Sequence, residues 1–168
     1  IPRDVFYHLG EDTFFSDYNE YQDYYESEGL YKENCPKVCL LTSIIGPRSI
    51  NRSYADDLIR LFEARDINVY PIAGFLKRLE FMQAVEPDLV VYIPHGRLAP
   101  GQTEKAIEWL KESNVPLLCP IDAFMPYDEW TATQQGVTGG MLSQSIVMTE
   151  LDGGIEPFVI SAQFPNED

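Results

Sequence analysis

Apolar residues in this chain come in short blocks separated by stretches of helical period. Lys37 to Ile45 (KVCLLTSII), Asn68 to Ile72, Leu89 to Ile93, Val115 to Ile121 and Phe158 to Ala162 each read as a buried strand. Between them, apolar positions recur every three or four residues. Leu58, Ile59, Leu61 and Phe62 follow a cap at Ser53, with Asp56 and Asp57 set in the first turn against the helix dipole. Leu76, Leu79, Phe81 and Met82 mark a second helix. Ala106, Ile107, Trp109 and Leu110 mark a third, capped by Thr103 and closed by Asn114, and Met141 to Met148 reads as a fourth. The order βαβαβαβ(α)β predicts an α/β fold: an open, mostly parallel sheet with helices on both faces, Rossmann-like or flavodoxin-like.

The first 34 residues differ. Acids such as Asp17, Glu20, Asp23 and Glu26 interleave with Tyr18, Tyr21, Tyr24 and Tyr25. A cap at Ser16 puts Tyr18, Tyr21 and Tyr25 on one helical face. The expected organisation is an acidic, aromatic helical extension over residues 1–34 and an α/β domain over 35–168. The tyrosine face either packs on that domain or offers rings for stacking on a flat ligand.

The net charge of −15 excludes nucleic acid and anionic membrane surfaces as natural partners. It suits solubility, or docking on a basic partner. No run of about 20 apolar residues exists, so no membrane span is expected. The start at Ile1 carries no signal-peptide pattern and no Met, which predicts a piece of a longer protein. Three cysteines are too few for a disulfide framework, and the Cys35 to Cys39 spacing is not CxxC. Cys39 and Cys119 sit in apolar runs and read as buried small side chains.

Candidate chemistry lies in the loops after the strands, where open parallel sheets bind ligands. The loop from Gly46 to Ser53 is neither GxGxxG nor a P-loop. It offers Arg48 and Arg52 near a helix start, either holding a carboxylate or phosphate or simply solvated. Pro94-His95-Gly96-Arg97 follows the third strand. One histidine cannot make a tight metal site alone, but it can be the single axial ligand of a metal already held in a macrocycle. Asp122 and Tyr127 lie in the next loop, with Asp128 and Glu129 beyond. These acids serve either proton transfer or capping. No Ser-His-Asp, Cys-His or GxSxG arrangement is present.

The ordered set Val115-Pro116-Leu117-Leu118, Glu129-Trp130, Gly136, Glu150-Leu151-Asp152-Gly153, Ile155-Glu156-Pro157 and Val159 resembles the large subunit of metal chelatases, the CobN-type cobaltochelatase subunit and the H subunit of magnesium chelatase. Tyr7-His8 with Glu20-Tyr21, and Asp57 to Arg65 followed by Val69 to Ile72, are similar to earlier passages of that family. Leu9, Tyr24 and Asp66 depart from its usual Pro, Trp and Gly, and the His95-Gly96-Arg97 loop is not its usual one. The resemblance implies a segment of a large subunit that handles a tetrapyrrole (corrinoid, porphyrin or haem) and its metal, by insertion or removal. It implies further domains of that subunit and separate AAA+ ATPase partners, through which alone ATP would enter. It places the protein in the cytoplasm, or in the periplasm or envelope if an upstream signal has been removed. Two other classes stay open: a non-catalytic scaffold or docking module, and a free-standing flavodoxin-like binder, the latter weakened by the missing phosphate loop.

Overall fold

The computed structural model describes residues 4–10, 13–42, 52–155 and 157–164, apart from the side chain of Phe124. The chain opens with strands β1 (Val5–Tyr7) and β2 (Phe14–Phe15) and helix α1 (Tyr18–Ser27). Strand β3 (Lys37–Thr42), helix α2 (Arg52–Glu63), β4 (Asn68–Ala73), α3 (Arg78–Val85), β5 (Leu89–Tyr92), α4 (Thr103–Ser113) and β6 (Leu117–Leu118) follow. Then come β7 (Ile121–Pro126) and α5 (Tyr127–Ala132). The short helix α6 (Gly139–Leu142), a π-helical turn (Ser143–Val147) and α7 (Met148–Leu151) come next, before β8 (Gly154–Ile155) and β9 (Val159–Gln163).

The main sheet has the order β2-β1-β4-β3-β5-β6-β8. Its five strands from β4 to β8 are parallel, and β1 and β2 add an antiparallel edge. Side chains alternate between two cores, as the pleat requires. Phe6, Cys39, Leu41, Tyr70, Val90 and Tyr92 point to one face, where Tyr21 and Tyr25 of α1, Leu79 and Met82 of α3 and Leu110 of α4 cover them. Val5, Val38, Leu40, Val69 and Val91 point to the other, under Ala55 and Ile59 of α2. The uninterrupted apolar runs of β3 to β5 follow from this two-sided burial. Each large side chain so buried is worth roughly 1.5–3 kcal/mol.

The opening segment contributes strands that were not expected, because two- and three-residue strands carry too little pattern to read. Helix α1 forms where predicted, but Asp17 rather than Ser16 is its cap, accepting from Glu20 N at 3.0 Å. Ser16 instead donates to the Glu20 carboxylate through its N–H (2.8 Å) and hydroxyl (2.7 Å). The tyrosine face packs on the sheet. β1 pairs β4 only at Ile72 and Ala73, which leaves the Val69 peptide groups without a neighbouring strand on that side. Tyr21 donates to Val69 O at 2.8 Å, and Val69 N donates to the Tyr25 hydroxyl at 3.3 Å. Two tyrosine hydroxyls thus stand in for the missing strand.

Further expectations change in detail. Ser53 lies within α2, and Asp56 and Asp57 fall in its second turn, pairing with Arg52 (2.7 Å) and Arg60 (3.0 Å). Asp66 sits at φ 59°, a left-handed conformation that glycine adopts without strain, which accounts for the family's Gly at that position. The run Val115 to Ile121 is not one strand. It divides at Cys119-Pro120: Leu117 and Leu118 stay in the main sheet, while Ile121 opens a separate two-stranded parallel sheet, β7-β9. The last predicted strand therefore pairs with β7 and not with the main sheet. The end of the first predicted strand, Ser43 to Ile45, lies outside the described residues.

Candidate functional site

The loop after β5 is held from both sides by buried charge. The hydroxyl of Tyr92, the last residue of β5, accepts from His95 N at 3.0 Å. Gly96 takes φ 93°, and its N–H donates to Gln144 O at 3.1 Å. Arg97 places Nε and Nη2 on Asp152 Oδ1 at 2.7 and 2.6 Å, and Leu98 N donates to Asp152 Oδ2 at 2.7 Å. Asp152 is almost wholly buried, so both its oxygens are engaged in a charge-assisted network. The carboxylate beside Arg97 pushes its pKa above the usual guanidinium value. On the other side, the fully buried Arg78 donates to Leu98 O (2.9 Å) and Gly74 O (2.7 Å). Its guanidinium lies between the rings of Phe75 and Tyr92, 4.8 and 4.9 Å from their centres.

The Leu-Asp-Gly-Gly run has a mechanical reading. Asp152 clamps the β5 loop. Gly153 turns at φ 88°. A Cβ on Gly154 would come within 2.7 Å of Cys119 Sγ and 2.9 Å of Thr149 O, so only glycine lets β8 close on β6. Burial pushes the Cys119 thiol up to about 12, against a bond from Thr149 that lowers it.

His95 itself is exposed at the tip of this fixed loop. Among the described residues no group of three or more His, Cys, Asp or Glu could hold a metal ion. His95 therefore offers one ligand and no more.

Asp122 lies apart, on β7. Ser161 of β9 donates to it at 2.5 Å, and Tyr54 of α2 also bonds to it. Burial raises its pKa above the usual carboxylate value, while the two hydroxyls pull it back. It is a buried acid at the seam between the two sheets, and no ion pair among the described residues neutralises it.

Arg52, at the start of α2, is turned inward. It pairs with Asp56 at 2.7 Å, donates to the carbonyls of His8 and Gly10 (the latter at 3.0 Å), and lies 4.9 Å over the Tyr7 ring. His8 is buried and meets Glu63 at 2.9 Å. Arg48 lies outside the described residues. Tyr127 opens α5 and stacks on Phe164, with ring centres 5.0 Å apart. With Trp130 and Val159 to Ala162 they line a groove of about 170 Å³. The structure thus gathers His95, Gly96 and Arg97 into one loop and sets Arg52, Asp122 and Tyr127 in three other places. Sequence reasoning missed Arg78 and the clamping role of Asp152. The Leu-Asp-Gly run was the available signal for Asp152, and nothing in the local pattern marks Arg78.

An open parallel α/β sheet with a fixed loop at its strand ends is thus the class of protein in hand. The family model for CobN/magnesium chelatase matches residues 1–168, and the chain belongs to that family. Among solved structures it is similar to the catalytic subunit of cobaltochelatase from Mycobacterium tuberculosis, with a TM-score of 0.60 and 16% identity. That match covers 100% of this chain and 14% of the other, so this chain spans a small part of its relative's length. A comparison with curated proteins returned no match.

Proposed function

We propose that this chain is the segment of a chelatase-type large subunit that presents His95 to the metal of a tetrapyrrole, during insertion or removal of that metal. The observation that carries the reading is the β5 loop. Asp152 and Arg78 lock the backbone on either side of Leu98, yet the imidazole is left exposed at the tip. A single neutral imidazole cannot retain a free metal, but it can coordinate one already held by four macrocycle nitrogens. Exposed Phe75 and Leu76, on the loop stacked over Arg78, give the same end of the sheet an apolar surface for a flat ring.

The metal and the tetrapyrrole are substrates here. The remaining domains of the large subunit and AAA+ ATPase subunits are the proposed partners, and ATP enters only through the latter. The cytoplasm is the proposed compartment. No helix among the described residues is long and apolar enough to cross a membrane.

Absorbance titration with haem, a cobalt corrinoid and metal-free porphyrin tests the reading. A Soret shift with haem that disappears in His95→Ala is the expected result. A shift that survives the substitution removes His95 from the metal, and no response to any of the three leaves the chain as a docking module.

A further inference from the structure

Resting on the reading of this chain as one segment of a longer subunit, we propose that the groove between α5 and β9 is the seat of an apolar side chain from another segment of that subunit. That segment also brings a hydrogen-bond acceptor to Trp130. Four observations converge. The β7-β9 sheet is parallel and two-stranded; parallel sheets are covered on both faces, and a lone pair of strands is marginal in water. Its outer side is apolar and bare: Phe158, Ile160 and Phe164 are 47%, 38% and 67% exposed. The Trp130 indole Nε1 is buried and has no hydrogen-bond partner, a donor that a native fold rarely leaves unmet. The similar cobaltochelatase subunit is far longer, since this chain matches only 14% of it.

Size and charge choose the occupant. A groove of about 170 Å³ is smaller than the roughly 300–1,000 Å³ of ligand pockets, so it suits one side chain rather than a tetrapyrrole. A second copy of this chain would bring a further net charge of −15 against the first, which opposes self-association. A strand laid along β9 with an aliphatic or aromatic knob meets both the bare edge and the groove.

Hydrogen exchange on the full-length large subunit, without added tetrapyrrole, tests this. The amides of Val159 to Gln163 should be as protected as those of Lys37 to Thr42. Ile160→Glu should raise exchange at 159–163 by about tenfold while leaving 37–42 unchanged. If that variant also exposes 37–42, the milder Trp130→Phe carries the same readout. Free-edge exchange at 159–163 in the intact subunit would overturn the proposal. So would protection that appears only with haem, or that grows with protein concentration. The haem titration above is independent, so His95 could hold the metal while this docking surface fails, or the reverse.

Discussion

β3 and β9 are strands of similar length and apolar content, and they end in different surroundings. From Val38 to Thr42 every residue of β3 is buried, whereas none of the five residues of β9 is. The difference lies in the neighbours. β3 sits between β4 and β5, with helices on both faces. β9 has one partner strand, joined through a bulged register, and α5 on one side. Apolar sequence therefore specifies that a strand forms; what covers it is supplied elsewhere in the fold, or by another part of the protein.

The contrast can be broken most directly by truncating one residue on each side. Ile72→Ala, in the main core, should cost about 2–5 kcal/mol by urea unfolding. Phe164→Ala should stay within about 0.5 kcal/mol, because its ring is already wet. Equal losses would mean that the two-stranded layer is as tightly packed as the main sheet. A smaller effect than that of Ile72→Ala is expected from Asp152→Ala, which unpairs Arg97 and the Leu98 N–H. The cost should be about 2–3 kcal/mol, below the roughly 3–5 kcal/mol of a fully buried pair, because Arg97 is a third exposed and can rehydrate. That variant should also loosen the His95 loop, seen as broadened amide signals at residues 95–98. A loop that stays sharp would remove Asp152 from its positioning role.

Asp122→Asn probes the seam between the sheets through its pH dependence. Burial holds the Asp122 pKa above its unfolded value, so the folded chain keeps this proton to higher pH than the unfolded chain. Its contribution to stability is fully present below the ordinary carboxylate pKa, near about 4. It declines as the pH rises through the folded value. The Asn variant should lose that decline, and its urea midpoint should change less across the window. An unchanged slope would assign the pH dependence to another group.

Much of the main sheet was legible because strands buried on both faces give solid apolar runs and the intervening helices keep a clear period. Asn114 closes α4 at φ 55°, as a residue tolerant of the left-handed region should. β1 and β2 were not legible, since strands of three and two residues carry too little alternation to read. The break at Pro120 was hidden inside an apolar run, because the pattern reports burial and not which sheet does the burying. Of the site, His95, Gly96 and Arg97 were found as a strand-end loop. Arg78 was not, because a fully buried arginine held by carbonyls and two rings looks like any surface cation in the sequence.

The path of the chain between β6 and β9 has a consequence for dissecting the protein. β6 belongs to the main sheet, β7 to the second, β8 to the main sheet again and β9 to the second. The backbone crosses between the two layers three times, like a stitch. A single proteolytic cut cannot separate the two sheets cleanly: a nick between β7 and β8 splits both, one between β6 and β7 strips β8 from the main sheet, and one between β8 and β9 parts β9 from β7. Digestion between β7 and β8 should accordingly unravel both sheets, whereas trimming the chain after β8 keeps every strand of the main sheet and leaves β7 without its partner.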